Sequence, residues 1–212
     1  MDILEDIKAS IINMDEDKTK ELIQKAIGES LEAGKILNEG LIPAMEVVGK
    51  EYEEGKKFIP EMLLAAEAMK GALELLRPLL AKAEVKAAGK VVMGTVEGDV
   101  HDIGQNLVST MLEGGGFKVS SLGTDVSVEE FVTAVKEESP DIIGMSALLT
   151  TTMPHMKDVV DALIENGLRD KVKVMVGGAT LNQQFADEYG ADGFAPDASS
   201  AVRLAKRLIS GE

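Results

Sequence analysis

The chain contains two histidines, His101 and His155, and no cysteine. The absence of cysteine excludes disulfides, thiolate metal sites, iron–sulfur clusters and cysteine nucleophiles. Two histidines cannot build a multi-histidine metal centre within this chain unless carboxylates supply most of the ligands. A metal held by histidine here would therefore have one histidine ligand and a cofactor that brings the others.

His101 lies in the acidic segment Asp-Val-His-Asp-Ile-Gly at 99–104. A ligating histidine usually donates its second ring N–H to a carboxylate, which fixes the tautomer and tunes basicity. Asp99 is placed to accept that hydrogen bond, and Ser146 is placed to hydrogen-bond Asp99, so these residues predict a metal–His–Asp–Ser relay. The segment is neither a dinucleotide fingerprint nor a P-loop, since it has no Gly-x-Gly-x-x-Gly and no Gly-Lys-Ser/Thr.

The elements that must position these residues alternate between strand and helix from residue 90 onward. Strands are predicted at 91–96, 118–122, 141–147, 173–176 and 193–195, and helices at 103–113, 128–138, 153–166, 181–188 and 198–208. Successive βα units with right-handed crossovers predict a doubly wound, five-stranded parallel sheet of flavodoxin-like strand order 2-1-3-4-5.

In a doubly wound sheet, ligands bind beyond the carboxyl ends of the strands, where the strand order reverses. The loops 97–102, 147–152 and 177–180 all follow strands at that edge. The glycines Gly104, Gly177 and Gly178 would leave room for a bulky ligand to pass into the sheet. Each glycine taken alone is more often an ordinary turn residue, but their coincidence with a lone histidine favours a ligand site.

Residues 1–88 predict a bundle of four or five helices, so that the whole chain has an α + α/β fold with a second domain at 89–212. The apolar stripes at helical spacing are Leu4, Ile7, Ile11 and Ile12; Leu22, Ile23 and Ile27; Leu41, Met45, Val48 and Tyr52; and Met62, Ala65, Ala66, Met69, Leu73 and Leu76. The periodicity is lost at 79–89, which predicts a helix end followed by a linker and a candidate hinge.

The formal net charge of −15 disfavours binding to nucleic acid or to anionic membranes. An acidic surface favours docking on basic patches of partner proteins, although solubility alone explains it equally well. No apolar run approaches the roughly 18 residues of a transmembrane helix. The acidic start Met-Asp-Ile-Leu-Glu-Asp does not resemble a secretory signal, so a cytoplasmic location is expected.

Three motifs, Asp99-x-His101-x-x-Gly104, Ser146-x-Leu148 and Gly177-Gly178, together resemble the signature of cobalamin-binding domains of the methionine synthase and methylmalonyl-CoA mutase type. The spacings also match, with 41 residues between Gly104 and Ser146 and 28 between Leu148 and Gly177. The segments 40–45 (Gly-Leu-Ile-Pro-Ala-Met) and 58–62 (Phe-Ile-Pro-Glu-Met) resemble the helical cap of methionine synthase. Nearly end to end, the chain resembles the small corrinoid proteins of methyltransferase systems that serve methylamines, methanol or methoxylated aromatics.

This resemblance implies a base-off cobalamin or related corrinoid with His101 as the lower axial cobalt ligand. Asp99 and Ser146 would tune His101, and these three residues are the catalytic candidates. The nucleotide tail would enter a gap lined by Gly104, Leu148 and the Gly177-Gly178 pair. The implied cofactor-binding residues are Asp99, His101, Asp102, Ile103, Gly104, Ser146, Leu148, Thr150, Gly177 and Gly178. In the cap, Phe58, Met62 and Met69 are candidates for shielding the methyl face, with bundle core as the equal alternative.

The implied function is that of a methyl carrier rather than a stand-alone catalyst. Its expected partners are a substrate-specific methyltransferase, an acceptor methyltransferase and a reductive activase. The simplest interpretation of His155 is a surface or packing residue, and the sequence assigns it no role. Three alternatives remain open: the cobalamin subunit of an adenosylcobalamin mutase, a cobalamin-sensing regulator, and a receiver-like or flavodoxin-like signalling domain. The third is disfavoured because Met145-Ser146-Ala147 replaces the receiver's aspartate and because aromatic content is only 3%.

Overall fold

Helices make up the first part of the chain in the computed structural model, which describes residues 2–83 and 86–211. These helices are α1 (Ile3–Ile12), α2 (Glu16–Gly28), α3 (Ala33–Lys35), α4 (Ile42–Glu53) and α5 (Ile59–Lys82), with a π-helical segment (Ile36–Leu41) between α3 and α4. The predicted helical bundle is therefore confirmed.

Helices α1 and α2 begin at aspartate caps, and the bundle helices bury much of the apolar stripes that predicted them. The side chains of Asp2 and Asp15 accept hydrogen bonds from the first-turn amides of α1 and α2, which satisfies donors that have no partner within the helix. The buried faces include Ile7, Ile11 and Ile23, each with no exposed surface. Helix α5 packs mainly against α2.

The π-helical segment is a feature that the apolar pattern did not reveal. The backbone amide of Ile42 donates to the carbonyl of Leu37, five residues earlier. Pro43 follows directly and has no amide hydrogen. The helix therefore changes its hydrogen-bond spacing next to the residue that cannot donate.

Part of the predicted linker at 79–89 belongs to the described residues. Helix α5 continues to Lys82, so the start of that range is helix. Glu84 and Val85 lie outside the described residues. The hinge stays a prediction.

The second part of the chain is an alternating α/β structure. Its strands are β1 (Lys90–Thr95), β2 (Lys118–Ser121), β3 (Ile142–Ser146), β4 (Lys173–Gly177) and β5 (Gly193–Ala195). Its helices are α6 (Ile103–Gly114), α7 (Val128–Glu138), α8 (Pro154–Glu165), α9 (Gln183–Tyr189) and α10 (Ala198–Ser210), with a short 3₁₀ turn at Arg169–Lys171. The strands are all parallel in the order β2-β1-β3-β4-β5, which confirms the predicted topology.

Both faces of this sheet are buried, because successive residues of a strand point to opposite sides. Val92, Ile143 and Val174 belong to a core cluster that includes residues of α7 and α8. Val91, Ile142 and Met175 belong to a second cluster that includes residues of α6 and α10. The central strands are thereby rigidly held, and the loops at their carboxyl ends are anchored.

Residue contacts divide the chain into two units. The helical unit comprises residues 1–87 with 113–116, and the α/β unit comprises 88–112 and 117–212. Among the described residues, no helix has both the length and the apolar composition needed to cross a membrane.

Candidate functional site

The carboxyl edge of the sheet brings together the residues that the sequence singled out. The register pairs Thr95 with Ser146 and Ser146 with Gly177, so that β1, β3 and β4 end at the same level. The loops that leave these three strands carry Asp99 and His101, Leu148 and Thr150, and Gly178. The strand-order reversal lies between β1 and β3, as in other doubly wound ligand sites.

Asp99 is the centre of a hydrogen-bond network at this edge, and it is fully buried. Its Oδ1 lies 2.7 Å from the ring Nδ1 of His101 and accepts a hydrogen bond from the His101 amide at 3.1 Å. Its Oδ2 accepts hydrogen bonds from the Leu148 amide at 2.7 Å and from the Thr152 hydroxyl at 2.8 Å. Four donors from two loops therefore surround one carboxylate.

These contacts keep Asp99 ionised. Burial by itself would raise the pKa of the Asp99 carboxyl, but hydrogen bonds outweigh that cost. The amides of Leu148 and His101, the His101 ring and the Thr152 hydroxyl together hold the pKa of Asp99 well below its usual range. An ionised carboxylate can only accept, so His101 Nδ1 carries the hydrogen of that pair.

The His101 ring is thereby left with one nitrogen available for a ligand. Since Nδ1 is engaged with Asp99, Nε2 carries the free lone pair of the neutral ring. The His101 side chain is 47% exposed, while the Asp99 side chain has no exposed surface. A buried carboxylate that orients a solvent-facing imidazole is the arrangement expected for a single metal ligand.

Ser146 was predicted as the third member of the relay, and this prediction is wrong because Thr152 holds that place. The hydroxyl that reaches Asp99 belongs to Thr152, and no hydrogen bond joins Ser146 to Asp99 among the described residues. The chain turns back after β3, where the amide of Thr152 donates to the carbonyl of Leu149. This turn brings the Thr152 hydroxyl within hydrogen-bond distance of Asp99. Ser146 remains in β3, paired with Thr95 and Gly177.

The glycines differ in what their missing side chains allow. A Cβ at Gly178 would lie 1.9 Å from the Ala147 carbonyl oxygen, and its φ of +136° is a region that L side chains rarely adopt. A Cβ at Gly177 would lie 3.1 Å from the Ala195 carbonyl oxygen. A Cβ at Gly104 would meet nothing within 4 Å. Gly178 therefore serves backbone packing, and Gly104 leaves open space at the start of α6.

Apolar side chains face solvent around His101. Val100 and Ile103 are 70% and 76% exposed, and Leu148 and Leu149 are 38% and 42% exposed. Such a cluster beside an imidazole with one free ring nitrogen fits the face of a large, partly apolar ligand. We refer to Val100, Ile103, Leu148 and Leu149 as the apolar collar.

The remaining predicted binding residues lie at the same edge. Asp102 is exposed, and its carboxylate accepts a hydrogen bond from the Asn106 side chain at 3.2 Å. Thr150 is exposed in the loop after β3. Thr180, which the sequence pattern did not single out, has a buried hydroxyl oxygen that finds no hydrogen-bond partner within residues 2–83 and 86–211. Buried polar atoms are normally paired, so the Thr180 hydroxyl is a position for a polar ligand group.

The other residues of interest are placed elsewhere. His155 is partly exposed in the first turn of α8, with Nδ1 3.2 Å from the Asp158 carboxylate. Met62 and Met69 are buried core residues, with 0% and 1% of their surface exposed, which favours the bundle-core alternative for these two. Phe58 is 65% exposed and stays a candidate.

Comparison with known proteins links this edge to one cofactor. Residues 89–204 match a family model described as a B12 binding domain, and residues 3–77 match a second model with the same description. A corrinoid protein of Desulfitobacterium hafniense strain Y51 is 47% identical over 212 residues, covering 99% of this chain and 98% of that protein. Dimethylamine corrinoid protein 1 of Methanosarcina acetivorans is 44% identical over 210 residues, covering 99% and 98%.

Solved structures show the same likeness. A cobalamin-binding protein from Desulfitobacterium hafniense DCB-2 matches with a TM-score of 0.83 and 35% identity, covering 97% of this chain and 98% of that one. The methanol:cobalamin methyltransferase complex MtaBC from Methanosarcina barkeri matches with a TM-score of 0.88 and 35% identity, covering 99% of this chain and 80% of that chain.

The residues present fit a corrinoid. A corrin ring supplies most of the cobalt ligands and needs one further axial donor, which suits a lone imidazole whose Nδ1 is held by Asp99. The exposed collar, the open space at Gly104 and the unpaired Thr180 hydroxyl suit a large ligand with apolar and polar parts. The site and the near-complete coverage by these relatives agree: the chain belongs to the family of corrinoid proteins with B12-binding domains.

Proposed function

We propose that this chain is a methyl carrier that works between two methyltransferases, with a base-off corrinoid ligated by His101. The observation that carries the proposal is the buried Asp99 carboxylate, which holds Nδ1 of the half-exposed His101 at 2.7 Å and leaves Nε2 for cobalt. When bound, the corrinoid would supply a cobalt centre able to carry a methyl group, and His101 would hold that centre.

The contribution of the protein is to hold and tune the axial imidazole. Asp99 fixes the orientation of the ring, and the Leu148 amide and the Thr152 hydroxyl fix Asp99 in turn. The basicity of Nε2 depends on how strongly Nδ1–H is drawn toward the carboxylate. Thr152, the third side chain in this network, therefore gives the protein a means to adjust the donor strength of His101.

The remaining site residues are assigned to the rest of the cofactor. The apolar collar would contact the lower side of the corrin ring, and the slot beside Gly104, Ser146, Gly177 and Gly178 would receive the nucleotide tail. The Thr180 hydroxyl, buried without a partner, would hydrogen-bond that tail. Asp102 and Thr150 lie at the mouth of this region and would contact polar side groups of the ring.

The names of similar proteins support a choice of partners. They include a dimethylamine corrinoid protein, a monomethylamine corrinoid protein and a methanol:cobalamin methyltransferase complex. We propose that this chain also docks with a substrate-specific methyltransferase and an acceptor methyltransferase, with a small methylated compound as the donor. The reductive activase and the cytoplasmic location stay predictions.

A spectroscopic experiment tests the ligand assignment. The protein is reconstituted with hydroxocobalamin, freed of excess cofactor, and examined by its visible spectrum. We expect stoichiometric corrinoid with a histidine-ligated spectrum in the wild type, and loss of that ligation in His101→Gln. His155→Gln is the matched control, since His155 lies on α8 and should leave the spectrum unchanged. No bound corrinoid, or a His101→Gln spectrum equal to wild type, would contradict the proposal.

A transfer experiment tests the carrier role. The reconstituted, reduced protein is incubated with each candidate methyltransferase and its methylated substrate, and methylation of the corrinoid is followed by the visible spectrum. We expect one methyl group per protein, and release of that group when an acceptor methyltransferase and a thiol are added. Methyl transfer that proceeds equally well without this protein would contradict the role.

A further inference from the structure

One row of the sheet, just below the site, has methionines on β1 and β4 and glycines on β3 and β5, and it ends at Ser121 of β2. The register pairs Met93 of β1 with Gly144 of β3, Gly144 with Met175 of β4, and Met175 with Gly193 of β5. These positions lie two residues before Thr95, Ser146 and Gly177 and therefore on the same face of the sheet. The row is thus the next layer inward from the carboxyl edge.

The methionines of this row lie over the bare backbone of Gly144. A Cβ at Gly144 would lie 2.2 Å from the Met93 sulfur, 3.0 Å from the Met93 methyl carbon and 3.5 Å from the Met175 methyl carbon. Met93 and Met175 are each only 3% exposed and belong to the core cluster that includes residues of α6 and α10. Two flexible side chains therefore close the sheet surface where a branched side chain would normally do so.

The layer above this row is the inner part of the proposed slot. Ser146 lies directly above Gly144, and Gly177, which has no side chain, lies beside it. A group that passes Gly177 and Ser146 along β3 reaches the methionines next. Methionine is unbranched and polarisable, and it adapts to the shape of what it contacts.

The side chains of this layer should accept a benzimidazole lower base of the corrinoid more readily than a purine base. A thioether is a weak acceptor and has no hydrogen to donate, and glycine offers only backbone. Gln105 is buried in the first turn of α6, and its amide donates to the hydroxyl of Ser109 on α6 and to that of Ser121, the β2 residue that pairs with Met93. A benzimidazole presents a carbon-bound, apolar far end to this wall, whereas a purine presents an amine or ring nitrogens that would lose water without a partner.

We propose that Met93 and Met175, folded over Gly144, form the end wall of the nucleotide slot and select corrinoids with a benzimidazole lower base over those with a purine base. The inference rests on the base-off binding of the proposed function. It adds to that function the class of corrinoid that the site accepts.

An affinity comparison tests the selection. Dissociation constants are measured by visible titration for cobalamin, adeninylcobamide and cobinamide, which lacks the nucleotide. We expect wild-type protein to bind adeninylcobamide roughly ten- to a hundredfold more weakly than cobalamin, because a polar group is buried without a partner. Met175→Gln supplies a hydrogen-bonding side chain of similar length and should bring the ratio close to one, with the affinity for cobinamide unchanged. Equal wild-type affinities, or a ratio unaltered by Met175→Gln, would overturn the selection while leaving corrinoid binding intact.

A second measurement locates the wall even if a substitution disturbs folding. The methyl groups of the 11 methionines are labelled with ¹³C, and Met93 and Met175 are assigned through Met93→Leu and Met175→Leu. Cobalamin should shift both resonances through the ring current of its base, and cobinamide should not. Met156, in the cluster on the opposite face, is the control and should respond alike to both ligands. Methyl shifts of Met93 and Met175 that are absent, or equal with cobinamide, would overturn the proposal.

Discussion

The hydroxyl of Thr152 and the carboxylate of Asp99 lie 2.8 Å apart, although 53 positions separate them in the chain. The same carboxylate oxygen accepts the Leu148 amide, while the other oxygen faces the His101 ring. Asp99 therefore connects the loop after β3 to the imidazole at the end of β1. Removing a donor to Oδ2 should therefore change the orientation and donor strength of the His101 ring through this buried carboxylate.

Replacing Thr152 by alanine should weaken this connection. Thr152→Ala removes one of four donors to a buried charge, and partners behind a metal ligand typically contribute about 10- to 100-fold to metal affinity. We expect the dissociation constant of cobalamin to rise within that range and the histidine-ligated spectrum to become incomplete. Thr152→Ser, which keeps the hydroxyl, should restore both.

Ser146→Ala tests whether Ser146 or Thr152 supports His101 through Asp99. Because no hydrogen bond joins the Ser146 hydroxyl to Asp99 in the described part of the chain, and Thr152 supplies that contact, this variant should keep the histidine-ligated spectrum of the wild type. A loss of ligation in Ser146→Ala equal to that in Thr152→Ala would show that Thr152 is not the residue that acts through Asp99.

Replacing Asp99 by asparagine should destabilise the edge of the sheet. The amides of His101 and Leu148 donate to different oxygens of Asp99 and cannot turn away. An asparagine must therefore present its own NH₂ to one of these donors, which leaves a buried N–H unsatisfied at a cost of about 1–3 kcal/mol. Thermal unfolding of Asp99→Asn should show this loss. Asp102→Asn, at an exposed carboxylate nearby, should stay within about 0.5 kcal/mol of wild type, and a larger effect there would contradict this reasoning.

The sheet was predictable because its signals are local. Buried parallel strands are short apolar runs, and glycine and proline mark where they end. The predicted and observed bounds of β5 and α7 agree, and those of β3 differ by one residue at each end. The placement of Asp99 beside His101 was also local, since His101 lies two positions after Asp99.

The choice between Ser146 and Thr152 was not predictable in the same way. Both are hydroxyl residues that follow the buried part of β3, and either reaches the carboxyl edge in an extended chain. The difference arises from the turn in which the Thr152 amide donates to Leu149. A bend of this kind depends on the fit of the loop against Asp99, which spacing in the sequence does not contain.

Alanine at Gly104 should affect cofactor binding but not folding, whereas alanine at Gly178 should destabilise the fold. Gly104→Ala adds a methyl group where nothing lies within 4 Å, so the free energy of unfolding should stay level or rise by up to about 1 kcal/mol. The same methyl group should obstruct the nucleotide tail and weaken cobalamin binding, with cobinamide binding unchanged. Visible titration with both ligands, beside a thermal melt, measures this pattern.

Gly178→Ala is the matched contrast. Its new Cβ would meet the Ala147 carbonyl oxygen at 1.9 Å, in a backbone conformation disfavoured for alanine. We expect a loss of roughly 1–3 kcal/mol or more from the strained backbone alone, visible as a lower melting temperature before any ligand is added. A Gly178→Ala protein as stable as Gly104→Ala would contradict the close backbone approach assigned to Gly178.

The bundle allows a final test that separates packing from shielding. Met62 has no exposed surface, so Met62→Ala should cost about 2–5 kcal/mol of stability through the cavity it leaves. Phe58 is 65% exposed, and its backbone amide keeps its hydrogen bond to Glu61 whatever the side chain. Phe58→Ala should therefore leave the melting temperature nearly unchanged. If Phe58 shields bound corrinoid, the same variant, loaded with methylcobalamin, should lose its methyl group faster in light than the wild type does. Equal photolysis rates would remove Phe58 from the shielding role and leave it as a surface residue.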